Sequence, residues 1–393
     1  MPTAEVGLSK AFSLTRHPHV LVDATAIPRN RGGVGRYLEH LLPALDAAGC
    51  RLTIVAQRRD AAWLAAGVPG ARVVVPRAAI VRRPTRLLWE QFGLPRLARR
   101  EGADLLFSPH YTMPVLTRLP VVVTLHDATF FSHPELHGRG KRIFFRSWIR
   151  FSLRRARALI VPSNATASEL VRWAGAHPDR VHVAYHGVDA ATFHEPGGAE
   201  IQRARDLVGV DDWIGFLGTL EPRKNVSALI AAFGTIAANP LVSQKYPNLV
   251  LALAGGKGWD TTIDAAVDGS PVRERISRLG FVPNDQLAGF LGGALVIAYP
   301  SVGEGFGLPV LEAMASGTAV VTTRLLALPE VGGDVAAYTE PDAAAIAARI
   351  IELLLDDSDR AARSRAGIAR AAEFGWDASA ATHQAIFAAA AGA

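Results

Sequence analysis

Short apolar segments alternate with longer amphipathic stretches along most of this chain. The first series comprises residues 20–22, 51–55, 105–107, 120–124, 158–161 and 181–184, and the second comprises residues 213–217, 249–254, 279–281, 294–299 and 319–322. Strands that alternate with helices in this way pair in parallel and are covered by helices on both faces. The sequence therefore predicts an α/β fold with two parallel sheets.

A turn-rich segment without periodicity, residues 186–198, separates the two series. A chain of 393 residues is too long for one ordinary core, because single cores stop growing at about 250–300 residues. We therefore expect one Rossmann-like domain over residues 1–188 and a second over residues 199–373. Residues 374–390 have the pattern of a final helix.

The composition places the protein in the globular class, with 49% hydrophobic and 20% charged residues. The net charge of +6 comes almost entirely from arginine, and we give this overall charge little functional weight. A single cysteine, Cys50, excludes an intrachain disulfide and a thiolate metal cluster. The beginning of the chain contains no apolar signal region, and no apolar run reaches membrane-spanning length, so we expect a cytoplasmic protein.

Two glutamates, Glu304 and Glu312, flank a glycine-rich turn that follows the apolar run 294–299. Gly305 and Gly307 have no side chains, so backbone amides there can approach a ligand closely. Pro309 fits the first turn of a helix, whose free N–H groups and partial positive charge point at the same place. A phosphate group fits this place. Two carboxylates beside an anion site are explained if they bind hydroxyl groups, and a sugar nucleotide offers both phosphates and hydroxyls.

Residues 300–317 resemble the Glu-x7-Glu motif of the retaining family-4 glycosyltransferases, which have the two-domain GT-B fold. The resemblance implies that Glu304 contacts the donor sugar and that Glu312 contacts the ribose. It also implies that the donor is bound by the intervening turn: Gly305, Phe306, Gly307 and Leu308. A strand–turn–helix unit with two solvated carboxylates is the alternative.

The same resemblance has consequences for the architecture. It implies a GT-B fold in which two Rossmann-like domains have parallel sheets that face a central cleft. In such proteins the terminal helix, here residues 374–393, returns to complete the first domain. Donor and acceptor would then bind between the domains.

A basic motif, residues 218–225, follows the first strand of the second domain, at the sheet edge where open α/β sheets bind ligands. Arg223 and Lys224 are adjacent cations just before a helix. By resemblance they neutralise the donor diphosphate and stabilise the leaving group. Because the sequence shows no evident metal site or cofactor motif, these cations would have to supply the positive charge themselves. Thr219 stands where the family usually has an arginine, and we expect Arg223 to take that role. A helix-capping turn with solvated basic residues is the alternative.

Three further segments of the second domain match the family. Lys257 follows a strand in a glycine loop and by resemblance borders the nucleotide site, with a solvated lysine as the alternative. Val282 belongs to the segment that meets the base through backbone groups, or it simply ends a strand. Glu330 lies in a Pro-Glu-x-x-Gly segment near the active site, although Leu326 and Ala327 replace the small hydroxyl residues often found before it.

Two segments of the first domain also resemble the family. Residues 30–37, which include Gly33, look like the glycine loop that faces the donor phosphate or the acceptor. Leu38 occupies the place of a third glycine, so a dinucleotide site is disfavoured, and a structural turn is the alternative. His126 follows the strand 120–124, and by resemblance its carbonyl supports charge at the anomeric carbon while its ring binds a sugar hydroxyl. An isolated histidine is usually structural, but the carboxyl end of a strand favours function.

Basic and acidic patterns elsewhere suggest less specific interactions. Residues 139–157 interleave arginines with aromatic residues. This pattern is typical of a helix that lies on an anionic membrane surface. A helix that packs on the domain and exposes its arginines to solvent is the alternative. A second basic stretch covers residues 77–100, and neither stretch matches a nucleic-acid motif. Asp357 and Asp359 fit the Asp-x-Asp metal pattern of another glycosyltransferase fold, but they follow a helix, which favours a helix cap.

Together these observations predict an enzyme that moves a hexose, with retention and without a metal, from a nucleotide diphosphate sugar to a lipid-linked or oligosaccharide acceptor. The catalytic candidates are His126, Glu304, Arg223 and Lys224. Residues 110–114, 125–127 and 218–225 most resemble bacterial mannosyltransferases of O-antigen and exopolysaccharide assembly, so GDP-mannose is the favoured donor, ahead of UDP-glucose and dTDP-rhamnose. A non-catalytic sugar-nucleotide-binding or membrane scaffold protein is the alternative class. We expect peripheral contact with the inner membrane face.

Overall fold

The first sheet begins with a strand, β1 (His19–Asp23), in which all five residues are buried. It lies between two parallel neighbours, β2 (Arg51–Val55) and β4 (Leu105–Ser108). Strands that are buried on both faces are mainly apolar, and residues 20–22 of β1 and 105–107 of β4 form such apolar runs. The computed structural model describes residues 17–27, 33–77 and 80–392.

Parallel strands and covering helices continue through the first domain. The other strands are β3 (Arg72–Val74), β5 (Val121–Thr124), β6 (Ala158–Val161) and β7 (Val181–Val183). The helices are α1 (Gly33–Ala47), α2 (Arg58–Gly67), α3 (Arg83–Arg100), α4 (Thr129–Ser132), α5 (Arg139–Arg155) and α6 (Asn164–Glu169). The sheet has the order β3-β2-β1-β4-β5-β6-β7, so the direction of the connections reverses between β1 and β4.

The second domain repeats this plan. Its strands are β8 (Trp213–Leu217), β9 (Val250–Ala254), β10 (Ile276–Gly280), β11 (Val296–Tyr299), β12 (Val320–Thr323) and β13 (Ala337–Thr339). Its helices are α7 (Gly198–Val208), α8 (Val226–Ala238), α9 (Pro240–Lys245), α10 (Ile263–Asp268), α11 (Asn284–Gly292), α12 (Leu308–Ala315), α13 (Leu328–Gly332), α14 (Ala343–Leu355) and α15 (Asp357–Ala371). The strand order β10-β9-β8-β11-β12-β13 reverses between β8 and β11.

The last helix, α16 (Trp376–Ala391), packs against α1 of the first domain. Its residues Trp376, Ala380 and Phe387 lie in the same apolar core as Leu41 and Leu45 of α1. The chain therefore crosses between the domains twice.

These two crossings meet at one point. The N–H of Val188 donates to the carbonyl of Phe374 at 3.0 Å. A Cβ added at Gly187 would lie 2.3 Å from the backbone nitrogen of Trp376, so only glycine allows the two segments to approach this closely. The two connections between the domains, residues 187–188 and residues 374–376, therefore contact each other directly, and we call this contact the joint.

The structure confirms the prediction of an α/β fold with two Rossmann-like domains and parallel sheets. Two strands of three residues each, β3 and β13, were not predicted. The predicted strand at residues 279–281 was misplaced, since β10 ends at Gly280 and Phe281 is 75% exposed. No helix among the described residues combines the length and apolar character that crossing a bilayer requires.

Candidate active site

The reversal point of the second sheet brings together two loops that are far apart in sequence. Lys224 lies in a short 3₁₀ turn, Pro222–Lys224, after β8, and Glu304 lies in the turn after β11. Since β8 and β11 are parallel neighbours, both loops leave the same edge of the sheet. Open α/β sheets bind ligands at this crevice.

Glu304 is buried and has four hydrogen-bonding neighbours on one carboxylate oxygen. Its Oε1 accepts from the Tyr299 hydroxyl at 2.7 Å and the Ser301 hydroxyl at 2.9 Å. Lys224 Nζ lies 2.7 Å and Arg223 Nη1 lies 2.5 Å from the same atom. Burial alone would raise the pKa of Glu304, but the charges of Arg223 and Lys224 lower it to about 2. The carboxylate is therefore ionised at neutral pH.

The two predicted cations differ in their protonation chemistry. Burial, together with the charge of Arg223, lowers the pKa of Lys224 to about 8, although Glu304 opposes this shift. Arg223 stays charged and is fixed by Glu221 at 2.8 Å and by the carbonyl of Gly303 at 2.8 Å. The resulting site has two fixed cations beside one buried carboxylate.

The glycine turn lies directly against the first domain. A Cβ added at Gly305 would lie 1.8 Å from the carbonyl oxygen of His126, so this position must be glycine. The carbonyl of Gly305 accepts from the hydroxyls of Ser163 at 2.7 Å and Thr166 at 3.1 Å, which belong to the first domain. Gly307 has φ of +110°, a left-handed conformation that favours glycine. The turn thus depends on its glycines for both close approach and shape.

Free amides follow at the start of α12, an eight-residue helix with Pro309 in its first turn. The N–H groups of Phe306, Gly307 and Leu308 donate to no described residue. Helix N-termini with free amides bind anions. The predicted phosphate site therefore has the geometry expected of one.

The side chain of Phe306 faces away from this site. It is 4% exposed and packs among aromatic rings at the domain junction: its centroid lies 5.1 Å from His186, 5.9 Å from Phe374 and 6.1 Å from Tyr185. Its contribution to donor binding is therefore limited to the backbone.

The ring and the carbonyl of His126 both lie at the boundary between the domains, and their role in sugar binding stays a prediction. Its Nε2 lies 2.8 Å from the carbonyl of Pro109, so Nε2 donates the hydrogen bond and Nδ1 is left as an acceptor in the neutral ring. Burial lowers the pKa of His126, and the ring is neutral at pH 7. The His126 carbonyl faces Gly305 across the domain boundary.

Glu312 makes an ion pair across the cleft that the sequence did not predict. Its Oε1 lies 2.5 Å from Nη1 of Arg36, in the first turns of α1. Its Oε2 is buried and has no hydrogen-bond partner in the part of the chain that the structure describes. Glu312 therefore presents one unsatisfied acceptor in a site where the ribose is expected. Arg36 belongs to the predicted glycine loop, but nothing in its sequence context indicated this contact.

Glu330 connects the domains through backbone groups. Its carboxylate accepts from the N–H groups of Asn164 at 2.8 Å and Ala165 at 2.6 Å, at the start of α6, and from the Tyr185 hydroxyl at 3.1 Å. These contacts place the negative side chain at a helix N-terminus, where it is favoured. The Pro-Glu segment is thus a domain contact.

The remaining donor-binding candidates lie at the edges of the site. Thr219 is half-buried in the loop after β8, and Lys257 is exposed in the loop after β9 without a partner among the described residues. The side chain of Val282 is 4% exposed in the core of the second domain, which leaves its backbone for a base. Gly33 begins α1 and is exposed, and residues 30–32 of its loop lie outside the described residues.

Both halves of the chain match glycosyltransferase families. Residues 31–192 match Glycosyltransferase Family 4, and residues 199–370 match Glycosyl transferases group 1. The chain is 32% identical over 287 residues to O-antigen chain mannosyltransferase B of Escherichia coli, an overlap of 71% of this chain and 73% of that relative. The chain belongs to the family-4 glycosyltransferases.

Other comparisons of this glycosyltransferase agree. It is 22% identical over 333 residues to O-antigen chain mannosyltransferase RfbU of Salmonella typhimurium, 82% of this chain and 87% of the relative. Its fold matches Anabaena HepE, solved in complex with UDP and glucose, with a TM-score of 0.74 and 18% identity over 95% of this chain and 100% of the other. The predicted family and the GT-B architecture are confirmed.

A metal ion in a protein needs several acidic or histidine side chains close together. Among the described residues one cluster has suitable spacing: Asp23, Glu90 and His110. Its three ligand atoms converge on Nη1 of Arg86, at 3.9, 2.9 and 3.2 Å respectively. The guanidinium group of Arg86 thus occupies the position that a metal ion would need.

The Asp-x-Asp segment of the second domain belongs to a helix start. Asp357 and Asp359 lie in the first turn of α15, and Asp356 caps this helix by accepting from the N–H groups of Ser358 and Asp359. The cap is therefore the residue before the motif.

Proposed function

We propose that this glycosyltransferase transfers a hexose with retention from a nucleotide diphosphate sugar, without a metal ion. The observation that supports this most is that Arg223 and Lys224 are held on one oxygen of Glu304, beside the free amides at the start of α12. Fixed cations and a helix N-terminus can supply the positive charge that a departing diphosphate needs.

The proposed reaction exchanges two bonds at the anomeric carbon. The bond to the diphosphate oxygen breaks and its electron pair leaves with the diphosphate. The acceptor hydroxyl forms the new bond on the same face, and its proton passes to the departing phosphate. Glu304 and the carbonyl of His126 stabilise the positive charge on the sugar ring. Glu312 Oε2 accepts a hydrogen bond from a ribose hydroxyl.

We infer that mannose is the transferred sugar and GDP-mannose the donor. The resemblance of residues 218–225 to mannosyltransferases supports this, as does the similarity to the two O-antigen mannosyltransferases. UDP-glucose and dTDP-rhamnose are the alternative donors, and HepE was solved with UDP and glucose. The acceptor is a lipid-linked glycan or an oligosaccharide.

A nucleotide screen tests the donor first. A ligand at 100 times its Kd stabilises the folded state by about 2.7 kcal/mol, so GDP, UDP and dTDP can be ranked by the unfolding temperature. We expect the largest shift with GDP and release of GDP from GDP-mannose. Binding without any turnover of the sugar nucleotide would favour the non-catalytic alternative.

We also propose reversible contact with an anionic membrane at the inner face of the cytoplasmic membrane. The structure changes which arginines of α5 are available for it. Arg146 donates through Nε to the carbonyl of Phe130 at 2.6 Å, and Phe145 stacks on Phe130 at 4.6 Å, so these residues hold the helix on the domain. Arg154 and Arg155, at the end of α5, are exposed and pair with no described acidic residue. These two residues are the better candidates for a lipid surface.

A further inference from the structure

Three buried polar atoms on residues near the reversal point of the first sheet have no hydrogen-bond partner among the described residues. They are Asp23 Oδ2, Ser108 Oγ and His110 Nδ1. Asp23 ends β1 and Ser108 ends β4, and these strands are parallel neighbours with Val22 opposite Phe107. Asp23 and Ser108 are therefore adjacent at the carboxyl edge of the sheet, where open α/β sheets bind ligands.

Side-chain alternation places these groups on one face of the sheet. Leu21 and Leu106, two positions earlier on each strand, lie in the same apolar core as Leu94 of α3. Because side chains alternate along a strand, Asp23 and Ser108 point to the α3 side as well. Charged residues of α3 meet them there.

Both acidic and basic side chains surround Asp23 and Ser108. Glu90 Oε2 accepts from Arg86 Nη1 at 2.9 Å and from the Thr112 hydroxyl at 2.8 Å. His110 Nε2 lies 3.7 Å from Asp23 Oδ2 and 3.5 Å from Glu90 Oε2. Two carboxylates repel an anion, and Arg86 repels a cation. Hydroxyl groups both donate and accept hydrogen bonds, so a neutral polyol fits this mixture.

Glu312 of the second domain shows a similar hydrogen-bonding pattern. One oxygen of this expected ribose ligand pairs with Arg36, and the other is buried without a hydrogen-bond partner among the described residues. Asp23 is similar: its Oδ1 accepts from the N–H and the hydroxyl of Thr25 at 3.0 and 2.5 Å. Its Oδ2 lies within 4 Å of Arg86 and His110 but has no hydrogen-bond partner among the described residues. Buried groups without partners are costly, and a bound hydroxyl would satisfy them.

The cluster is connected to the donor site and reaches the surface. Pro109, between Ser108 and His110, accepts the hydrogen bond of the His126 ring at 2.8 Å. The side chains of Arg86 and His110 are 12% and 8% exposed, whereas those of Asp23 and Glu90 are fully covered. A ligand therefore meets Arg86 and His110 first, close to where the donor sugar is expected.

We propose that this cluster binds hydroxyl groups of the acceptor saccharide, with Asp23 Oδ2 and Ser108 Oγ as its deepest contacts. The inference rests on the proposed function, because it concerns the second substrate of the same reaction. It implies that the part of the acceptor bound by this cluster is an uncharged sugar.

The test measures acceptor and donor binding separately. Methyl glycosides of mannose, glucose, galactose and rhamnose are titrated by saturation-transfer NMR with a saturating nucleoside diphosphate, and nucleotide affinity is measured by calorimetry. Wild type is expected to bind at least one glycoside. Asp23→Asn should raise its Kd about tenfold or more, and Ser108→Ala about threefold, the effects of losing a charged and a neutral hydrogen bond. Nucleotide affinity should not change.

Two variants separate binding from folding. Ser108→Ala removes a hydroxyl that bonds to nothing in the described structure, so a purely structural role predicts no loss. Asp104→Asn is the matched control: Asp104 accepts from the N–H of His19 at 2.8 Å, at the amino ends of the same two strands. If wild type binds nucleotide but no glycoside, or if both site variants bind the glycoside normally, the acceptor site is refuted. Absence of nucleotide binding in wild type refutes the proposed function itself.

Discussion

Lys224 Nζ lies 2.7 Å from Glu304 Oε1, although the two residues are 80 positions apart and follow different strands. The pair depends on the parallel contact of β8 with β11. Burial leaves the lysine with a pKa of about 8, close to physiological pH, whereas Arg223 beside it stays charged. The positive charge of the proposed diphosphate site is therefore expected to vary with pH.

Diphosphate affinity should fall as the pH rises through about 8. Below this value Lys224 is charged and attracts the diphosphate, and above it the free enzyme loses that charge. The bound diphosphate favours the charged form, so binding near pH 8.5 should take up about three quarters of a proton. Calorimetry in buffers of different ionisation enthalpy measures this uptake. Lys224→Arg, which keeps its charge, is the control; an equally steep decline in this variant would contradict the assignment.

Glu304→Gln should lose turnover but keep its affinity for free nucleoside diphosphate. The substitution removes the charge that pairs two buried cations, so we also expect a loss of stability of about 3–5 kcal/mol. A bound diphosphate should restore part of it by pairing Arg223 and Lys224 itself. Stopped assays, calorimetry and thermal unfolding check the three effects.

Glu312→Gln should weaken nucleotide binding, in contrast to Glu304→Gln. The amide is a poorer acceptor for the ribose and a poorer partner for Arg36. We expect a loss of about 1.5–3 kcal/mol, the usual range for hydrogen bonds to charged groups. Titration with nucleoside diphosphate and with ribose-lacking pyrophosphate distinguishes the sites: pyrophosphate affinity should not change. Equal losses of nucleotide affinity in both glutamate variants would contradict their separate roles.

Excess EDTA should leave activity intact, because fixed cations take the place of a metal in the proposed mechanism. Arg223→Ala should weaken nucleoside diphosphate binding by about 1.5–3 kcal/mol. Donor turnover before and after chelation, with Mg²⁺ and Mn²⁺ added back, is the measurement. Loss of activity with EDTA and recovery with either ion would refute metal independence.

Anionic vesicles should bind the protein, and neutral vesicles should not. Each basic residue near an anionic surface contributes about 1 kcal/mol, so Arg154→Glu with Arg155→Glu should lower the partition coefficient about tenfold or more. High salt should have a similar effect, since screening acts within about 8 Å at physiological ionic strength. Arg203→Glu with Arg365→Glu, on exposed positions of the second domain, changes the net charge equally and is the control. Equal losses in both double variants would indicate a general charge effect.

The sequence predicted the parts of the site that are contiguous in the chain. The turn from Glu304 to Leu308 and the cation pair Arg223–Lys224 could be found because strand, glycine turn and helix start follow one another directly. Local patterns also identified most strands and the approximate limits of the final helix, α16. Two strands of three residues, β3 and β13, were missed, whereas β7, of the same length, was predicted.

Contacts across the cleft could not be predicted. Arg36 and Glu312 are 276 positions apart, and Glu330 and Asn164 are 166 apart. Their pairing depends on how two finished domains meet, which no local pattern encodes. The orientation of Phe306 has the same origin, because the aromatic rings that cover it come from both domains.

The joint formed by the hydrogen bond from Val188 to Phe374 has a consequence for exchanging parts between relatives. The first domain of this protein is not a continuous stretch of chain, because α16 supplies part of its core after the second domain is complete. A chimaera that joins two parents once, in the loop before α7, would pair a first domain with a foreign closing helix. A functional hybrid therefore needs two junctions, so that residues 376–391 come from the parent that supplies α1.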